Sequence, residues 1–200
     1  MIVDLFTTPL WITNLNTPKS QLQTIKEDAL TFYKKDKEFT PNGWDCNVWT
    51  SHSTYDPEKK YPELCKKIAE EAMKFVKSMG YNVKGLKSED FWINCGAPNT
   101  FQEFHTHSYS HISGVYYISS PENSGHTVFK NGVENMFLLP IDKRNEKNNY
   151  NTERPRIKPE DDKLIMFKSD LEHMVNLNKS NEYRVSMSFN FLIVNDDEKC

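Results

Sequence analysis

Residues 183–194 read YRVSMSFNFLIV. Tyr183, Val185, Met187, Phe189, Phe191 and Ile193 alternate with Arg184, Ser186, Ser188 and Asn190. A strand turns successive side chains to opposite faces, so one face of this segment is apolar and the other polar. The apolar face needs a cover. The polar face, which carries an arginine, either meets solvent or lines a polar interior.

Upstream, from Tyr81 on, segments are short, β-branched and aromatic, with Gly, Pro, Asn and Asp between them. Strands are expected at 90–94, 100–107, 112–119, 126–130, 135–139 and 163–167, before the long one from 182 to 194; 44–50 adds an N-terminal strand. Two helices precede most of them. Thr17-Pro18 offers an N-cap hydroxyl and a proline at the first helical position, and Leu22, Ile25, Ala29 and Phe32 follow at helical spacing up to about Lys35. The second helix starts near Tyr61-Pro62, buries Leu64, Ile68, Ala72, Phe75 and Met79, and stops at Gly80. Helices followed by many strands give an α+β fold: an antiparallel sheet pair or jelly roll with the N-terminal helices packed on one sheet.

Two hundred residues without an internal repeat or linker predict a single domain over 1–200, with helical support at 17–80 and a jelly-roll core at 88–194. The net charge is −3, and the lysines are interleaved with acids. Nucleic-acid binding needs a clustered basic surface, so none is expected. Met1-Ile2-Val3-Asp4 is no signal peptide, and no apolar run approaches the roughly 20 residues that span a bilayer. The four cysteines form no CxxC, which predicts free thiols in a reducing cytoplasm. Composition says nothing of oligomeric state. Residues 141–156 are polar and asparagine-rich, and read either as a mobile lid near a site or as plain disorder.

Three of the six histidines, His105, His107 and His111, fall within FQEFHTHSYSHISGVYYI, residues 101–118. At i and i+2 on a strand, His105 and His107 share a face and can reach one metal ion. A third ligand must come from elsewhere. His173 is the candidate: it follows an apolar strand and a short turn, at the start of the next strand. Arg184 lies eleven residues on, with Ser186 on the same face.

These motifs resemble the iron(II)- and 2-oxoglutarate-dependent oxygenases, and most closely the 2-oxoglutarate oxygenases of phages and marine bacteria. The matching stretches are Gln102-Glu103-Phe104-His105-Thr106-His107, Ser113-Gly114-Val115-Tyr116-Tyr117, Phe167 through Leu171 to His173 and Val175, and Arg184-Val185-Ser186-Met187-Ser188-Phe189-Asn190. Lys168 stands where the pattern has proline. The resemblance implies a double-stranded β-helix. It also implies iron(II), 2-oxoglutarate and O₂ as cofactor and cosubstrates, and hydroxylation with release of succinate and CO₂. Three protein ligands on one face leave three positions open on the metal. His105, His107 and His173 would be those ligands. Arg184, with Ser186 beside it, would take the far carboxylate of 2-oxoglutarate, because arginine offers a permanent cation with fork geometry. Tyr117, or its neighbour Tyr116, would hydrogen-bond the cosubstrate, and Asn94 is a further candidate.

The second ligand is usually Asp or Glu, so His107 is a departure that raises the site's net charge from +1 to +2. Glu103, on the same predicted strand face, is the alternative carboxylate. His111 is either an outer residue of the site or a surface residue, and His52 and His126 carry no signal. The competing function is a cupin-like jelly-roll binding protein without 2-oxoglutarate chemistry. Arg184 separates the two, since a cupin has no need of it. The substrate, whether small molecule, nucleotide or protein side chain, is not legible.

Overall fold

The computed structural model describes residues 1, 3–4, 7–36, 46–51, 55–130, 145–146, 148, 150–152 and 154–194. Its elements run β1 (Trp11–Asn14), α1 (Lys19–Lys35), β2 (Trp49–Thr50), α2 (Pro57–Lys60), α3 (Pro62–Ser78), β3 (Gly85–Gly96), β4 (Gln102–His105), β5 (Ile112–Ser119), β6 (Thr127–Phe129), β7 (Arg156–Ile157), β8 (Lys163–Lys168), β9 (His173–Val175) and β10 (Arg184–Val194). They form two antiparallel sheets. The major sheet has the order β1-β8-β5-β10-β3-β2, and the minor sheet β4-β9-β6-β7. This is the expected jelly roll, a double-stranded β-helix.

The alternation in β10 decides the layering. Val185, Met187, Phe189 and Phe191 face outward and are sealed by α1 and α3, whose Leu22, Ile25, Ile68 and Phe75 complete one hydrophobic core. Arg184, Ser186 and Ser188 turn the other way, yet are only 4%, 3% and 8% exposed. The polar face therefore lines an interior between the sheets rather than meeting solvent. Phe129 of the minor sheet closes on Tyr117, Ile165 and Phe167 of the major sheet in a small second cluster.

Several boundaries differ from expectation. α1 begins at Lys19 with Pro18 as N-cap, and Thr17 makes no capping bond. Instead the Thr17 hydroxyl pairs with the Tyr116 phenol at 2.7 Å, and the Asp162 carboxylate takes the Asn16 and Thr17 N–H groups at 2.8 and 2.9 Å. A partner 145 residues away thus fixes the chain just before the helix. The strand expected at 100–107 shortens to β4, because its pairing with β9 slips register between Gln102 and His105. The strand expected at 90–94 lengthens to β3, which pairs with β10 along its whole length. β1, β7 and α2 carry no strong sequence signal. The expected strand at 135–139, His52 and Cys200 lie outside the described residues, as do residues 44–45 of the expected strand at 44–50. Much of 141–156 is outside them too. Its described part contains turns closed by asparagine side chains, such as Asn148 Oδ1 accepting from the Tyr150 N–H at 3.0 Å, and it runs into β7 at Arg156.

Among the described residues no helix is long and apolar enough to cross a membrane. The described cysteines, Cys46, Cys65 and Cys95, are buried free thiols. Burial pushes Cys65 and Cys95 up to about 12, so neither is poised as a thiolate.

Candidate active site

The cavity between the sheets has one end, built by the minor sheet, whose histidines could hold a metal ion. His105 ends β4, His173 starts β9, and the two are direct partners in the ladder. His107 lies two residues beyond β4. Its backbone N–H donates to Ser169 O at 2.9 Å, which brings the ring back over the other two. One ring nitrogen from each histidine lies within 4.8 Å of the others. A single ion held by all three would lie about 2.1 Å from each ring nitrogen.

Protonation favours the same use. Nδ1 of His105 is 2.9 Å from Glu103 O, and Nδ1 of His173 is 2.9 Å from Leu171 O. With Nδ1–H donating to a carbonyl, each ring presents the Nε2 lone pair. Burial, reinforced by the neighbouring His105, holds the His173 imidazole at about 3, and burial also lowers His105. Both rings are neutral at ordinary pH, the form that binds a metal.

The other end of the cavity is built by the major sheet. Arg184 is 4% exposed. Its Nη1 donates to Ser124 O at 3.2 Å and reaches Gly125 O at 3.4 Å. Gly125 has φ +92°, and an added Cβ would run into Asn176 O, so only glycine lets this turn offer its carbonyls there. Arg184 Nε is buried with no hydrogen-bond acceptor, and no carboxylate pairs with Arg184 among the described residues. Burial lowers its pKa from the usual value, with Tyr117 acting the other way, yet a guanidinium stays charged. Tyr117 is fully buried, its phenol 2.6 Å from the Thr127 hydroxyl. Ser186 pairs with Asn94 on one side and Tyr117 on the other, so all three present to one row of the cavity. Asn94 accepts from Trp92 Nε1 at 3.1 Å and donates to Ser188 Oγ at 2.8 Å.

Two alternatives raised by the sequence fall elsewhere. Tyr116 points to the helical side, where its phenol reaches Thr17 and Asp162. The slip in β4 breaks the alternation, so Gln102 rather than Glu103 lines the cavity with His105. Glu103 instead accepts from the Cys46 N–H at 3.0 Å. His111 is exposed, and its Nδ1 accepts from the Ile193 N–H at 2.9 Å, outside the cavity. Trp92, Gln102, Thr127 and Ser188 also line the cavity and were not singled out in the sequence. Ser188 and Trp92 were reachable by period 2 from Ser186 and Asn94. Gln102 sits where the register slips, and Thr127 depends on pairing between sheets, which no local pattern reports.

The model of the family described as "Putative 2OG-Fe(II) oxygenase" matches residues 90–190, from the middle of β3 into β10. The chain belongs to this family. The oxygenase uses iron(II), 2-oxoglutarate and O₂, and its cavity suits that set: three imidazoles at one end, and at the other a buried cation with an orphaned N–H. No curated protein matches the sequence. Solved structures share the fold at low identity. A prolyl-4-hydroxylase from Pseudomonas putida is 11% identical with a TM-score of 0.61, over 94% of the oxygenase and 95% of that chain. A viral collagen prolyl hydroxylase from Paramecium Bursaria Chlorella virus-1, in complex with 2-oxoglutarate, is 14% identical with a TM-score of 0.55, over 92% and 96%. HygX from Streptomyces hygroscopicus, with nickel, 2-oxoglutarate and hygromycin B bound, is 10% identical with a TM-score of 0.61, over 94% and 84%. Family membership sets aside the cupin-like alternative without 2-oxoglutarate chemistry.

Proposed function

We propose that the oxygenase hydroxylates a C–H bond of its substrate, with His105, His107 and His173 holding iron(II). Arg184 binds the far carboxylate of 2-oxoglutarate, and Ser186, Tyr117 and Asn94 flank it. The observation that carries this assignment is the orphaned Nε of the buried Arg184. A buried charge without a counter-charge costs several kcal/mol. A dicarboxylate anchored to the metal by one end relieves that cost with the other, through charge-assisted hydrogen bonds. The Ser186 hydroxyl and the Tyr117 phenol present donors on the same row. Iron(II), 2-oxoglutarate and O₂ supply the oxidation, in which the cosubstrate loses CO₂ to become succinate and one oxygen atom enters the substrate. The chain's part is to gather three imidazoles, hold His105 and His173 neutral, fix the cosubstrate from the far end, and keep water out of the inner cavity. No protein general base is required.

The proposal takes 1–200 as one catalytic domain, supported by the core shared between the helices and the major sheet. The free buried thiols support a reducing compartment such as the cytoplasm. The substrate is a small molecule or a side chain. Solved neighbours include prolyl hydroxylases and a protein with hygromycin B bound, so a panel of peptides and metabolites is the place to look, with succinate release as the signal.

Anaerobic reconstitution tests the metal assignment. About one iron per chain is expected from a three-ligand facial site. His105→Ala and His173→Ala should each abolish binding, whereas His107→Asp should retain iron. Full occupancy in both alanine variants would remove these histidines from the ligand set.

A further inference from the structure

Resting on the assignment of His107 as a metal ligand, we propose that Trp92 is its positioning residue. The indole forms a wall that holds the third imidazole where the strand no longer can. His105 and His173 face each other across the β4–β9 ladder, and each has Nδ1 anchored to a carbonyl 2.9 Å away. His107 is past the end of β4, in a turn closed by the Ser110 N–H donating to His107 O at 3.2 Å. Its ring stacks on His173 at 5.2 Å and 11°, and meets Trp92 at 5.8 Å and 35°.

Trp92 belongs to the other sheet. It lies in β3 directly opposite Ser188 of β10, and it is 6% exposed. Its Nε1–H donates to Asn94 Oδ1 at 3.1 Å, and Asn94 Nδ2 donates to Ser188 Oγ at 2.8 Å. This relay fixes the indole plane against the long central ladder of the major sheet. A ligand on a turn thereby gains a rigid aromatic neighbour. The carboxylate usual at this position has no ring face for an indole to hold, so the wall matters to the imidazole and not to its common replacement.

The test is a double-mutant cycle read as Co(II) affinity of the anaerobic protein, without turnover. Outer residues that orient metal ligands typically change metal affinity by about 10- to 100-fold. Trp92→Leu should weaken Co(II) binding by about tenfold or more, and shift the cobalt visible absorption, while changing affinity by less than about twofold in the His107→Asp background. Trp92→Phe, which keeps an aromatic face, should stay within about threefold of wild type. If Trp92→Leu does not fold, Ser188→Ala serves in its place, loosening the relay from its far end, with a loss of about threefold expected in the wild-type background and none with His107→Asp. Equal losses in both backgrounds would reduce Trp92 to general packing and overturn the proposal, as would no loss in the wild type. The underlying ligand assignment fails separately, if His107→Ala binds Co(II) as tightly as wild type.

Discussion

Arg184 carries most of the weight of the proposed cosubstrate assignment. Its charge is permanent, it is 4% exposed, and its fixed partners are two backbone carbonyls, which satisfy hydrogens but not charge. On the proposed assignment, 2-oxoglutarate brings the counter-ion that no described carboxylate supplies. Arg184→Lys keeps the charge and loses the fork; Arg184→Ala leaves the ligand's carboxylate unpaired in a dry pocket. Affinity for 2-oxoglutarate should therefore fall in the order wild type, Arg184→Lys, Arg184→Ala, by at least about tenfold overall, or about 1.4 kcal/mol. Iron binding should hardly change, because the guanidinium is at the other end of the cavity from the imidazoles. Titration of 2-oxoglutarate into the anaerobic iron(II) protein, followed by charge-transfer absorption, gives the answer. An Arg184→Ala variant that binds as well as wild type would break the carboxylate assignment.

Among the elements, the turn before β8 makes a non-local tie between the start of α1 and the major sheet. Asp162 sits at φ +68° and receives the N–H groups of Asn16 and Thr17 and the phenol of Tyr116. It thus pins the entry to α1 onto the middle of the major sheet. Asp162→Ala removes three acceptor contacts to a charged group and strains a left-handed position, for a loss of roughly 3 kcal/mol by denaturant unfolding. Tyr116→Phe removes one of these contacts together with the phenol's pair with the Thr17 hydroxyl, and should cost about 1–2 kcal/mol. If the two variants are equally stable, the carboxylate is not the anchor. This tie also marks the limit of what the sequence discloses. β10 and α3 were legible because period 2 and period 3.6 are local signals. The H-x-H spacing and the R-x-S motif were legible because chemistry restricts those residue types. The anchoring of the entry to α1, the slip in β4 that turns Glu103 away, and the outward turn of Tyr116 were not, because each depends on a partner distant in sequence.

At the scale of the molecule, the two halves of the candidate site belong to different sheets. The imidazoles hang from the minor sheet, through β4, its following turn and β9. Arg184, Ser186 and Tyr117 stand on the major sheet, in β10 and β5. The large core lies on the far side of the major sheet, under the helices, whereas the buried apolar cluster between the sheets among the described residues is Tyr117, Phe129, Ile165 and Phe167. The inter-sheet space thus holds a much smaller apolar cluster than the helical side, and polar and apolar side chains share its lining. Iron should tighten the minor sheet alone, while iron with 2-oxoglutarate joins the two sheets through one continuous chain of contacts. Anaerobic thermal melts should rank metal-free protein level with protein given 2-oxoglutarate alone, iron-loaded protein above both, and the ternary complex highest. At 100-fold excess over its dissociation constant, the last ligand contributes about 2.7 kcal/mol. Amides of β9 should gain hydrogen-exchange protection with iron, and those of β10 only when 2-oxoglutarate follows. In Arg184→Ala the iron step should survive and the 2-oxoglutarate step should shrink. Equal stabilisation by 2-oxoglutarate with and without metal would mean that the cosubstrate does not bridge the sheets.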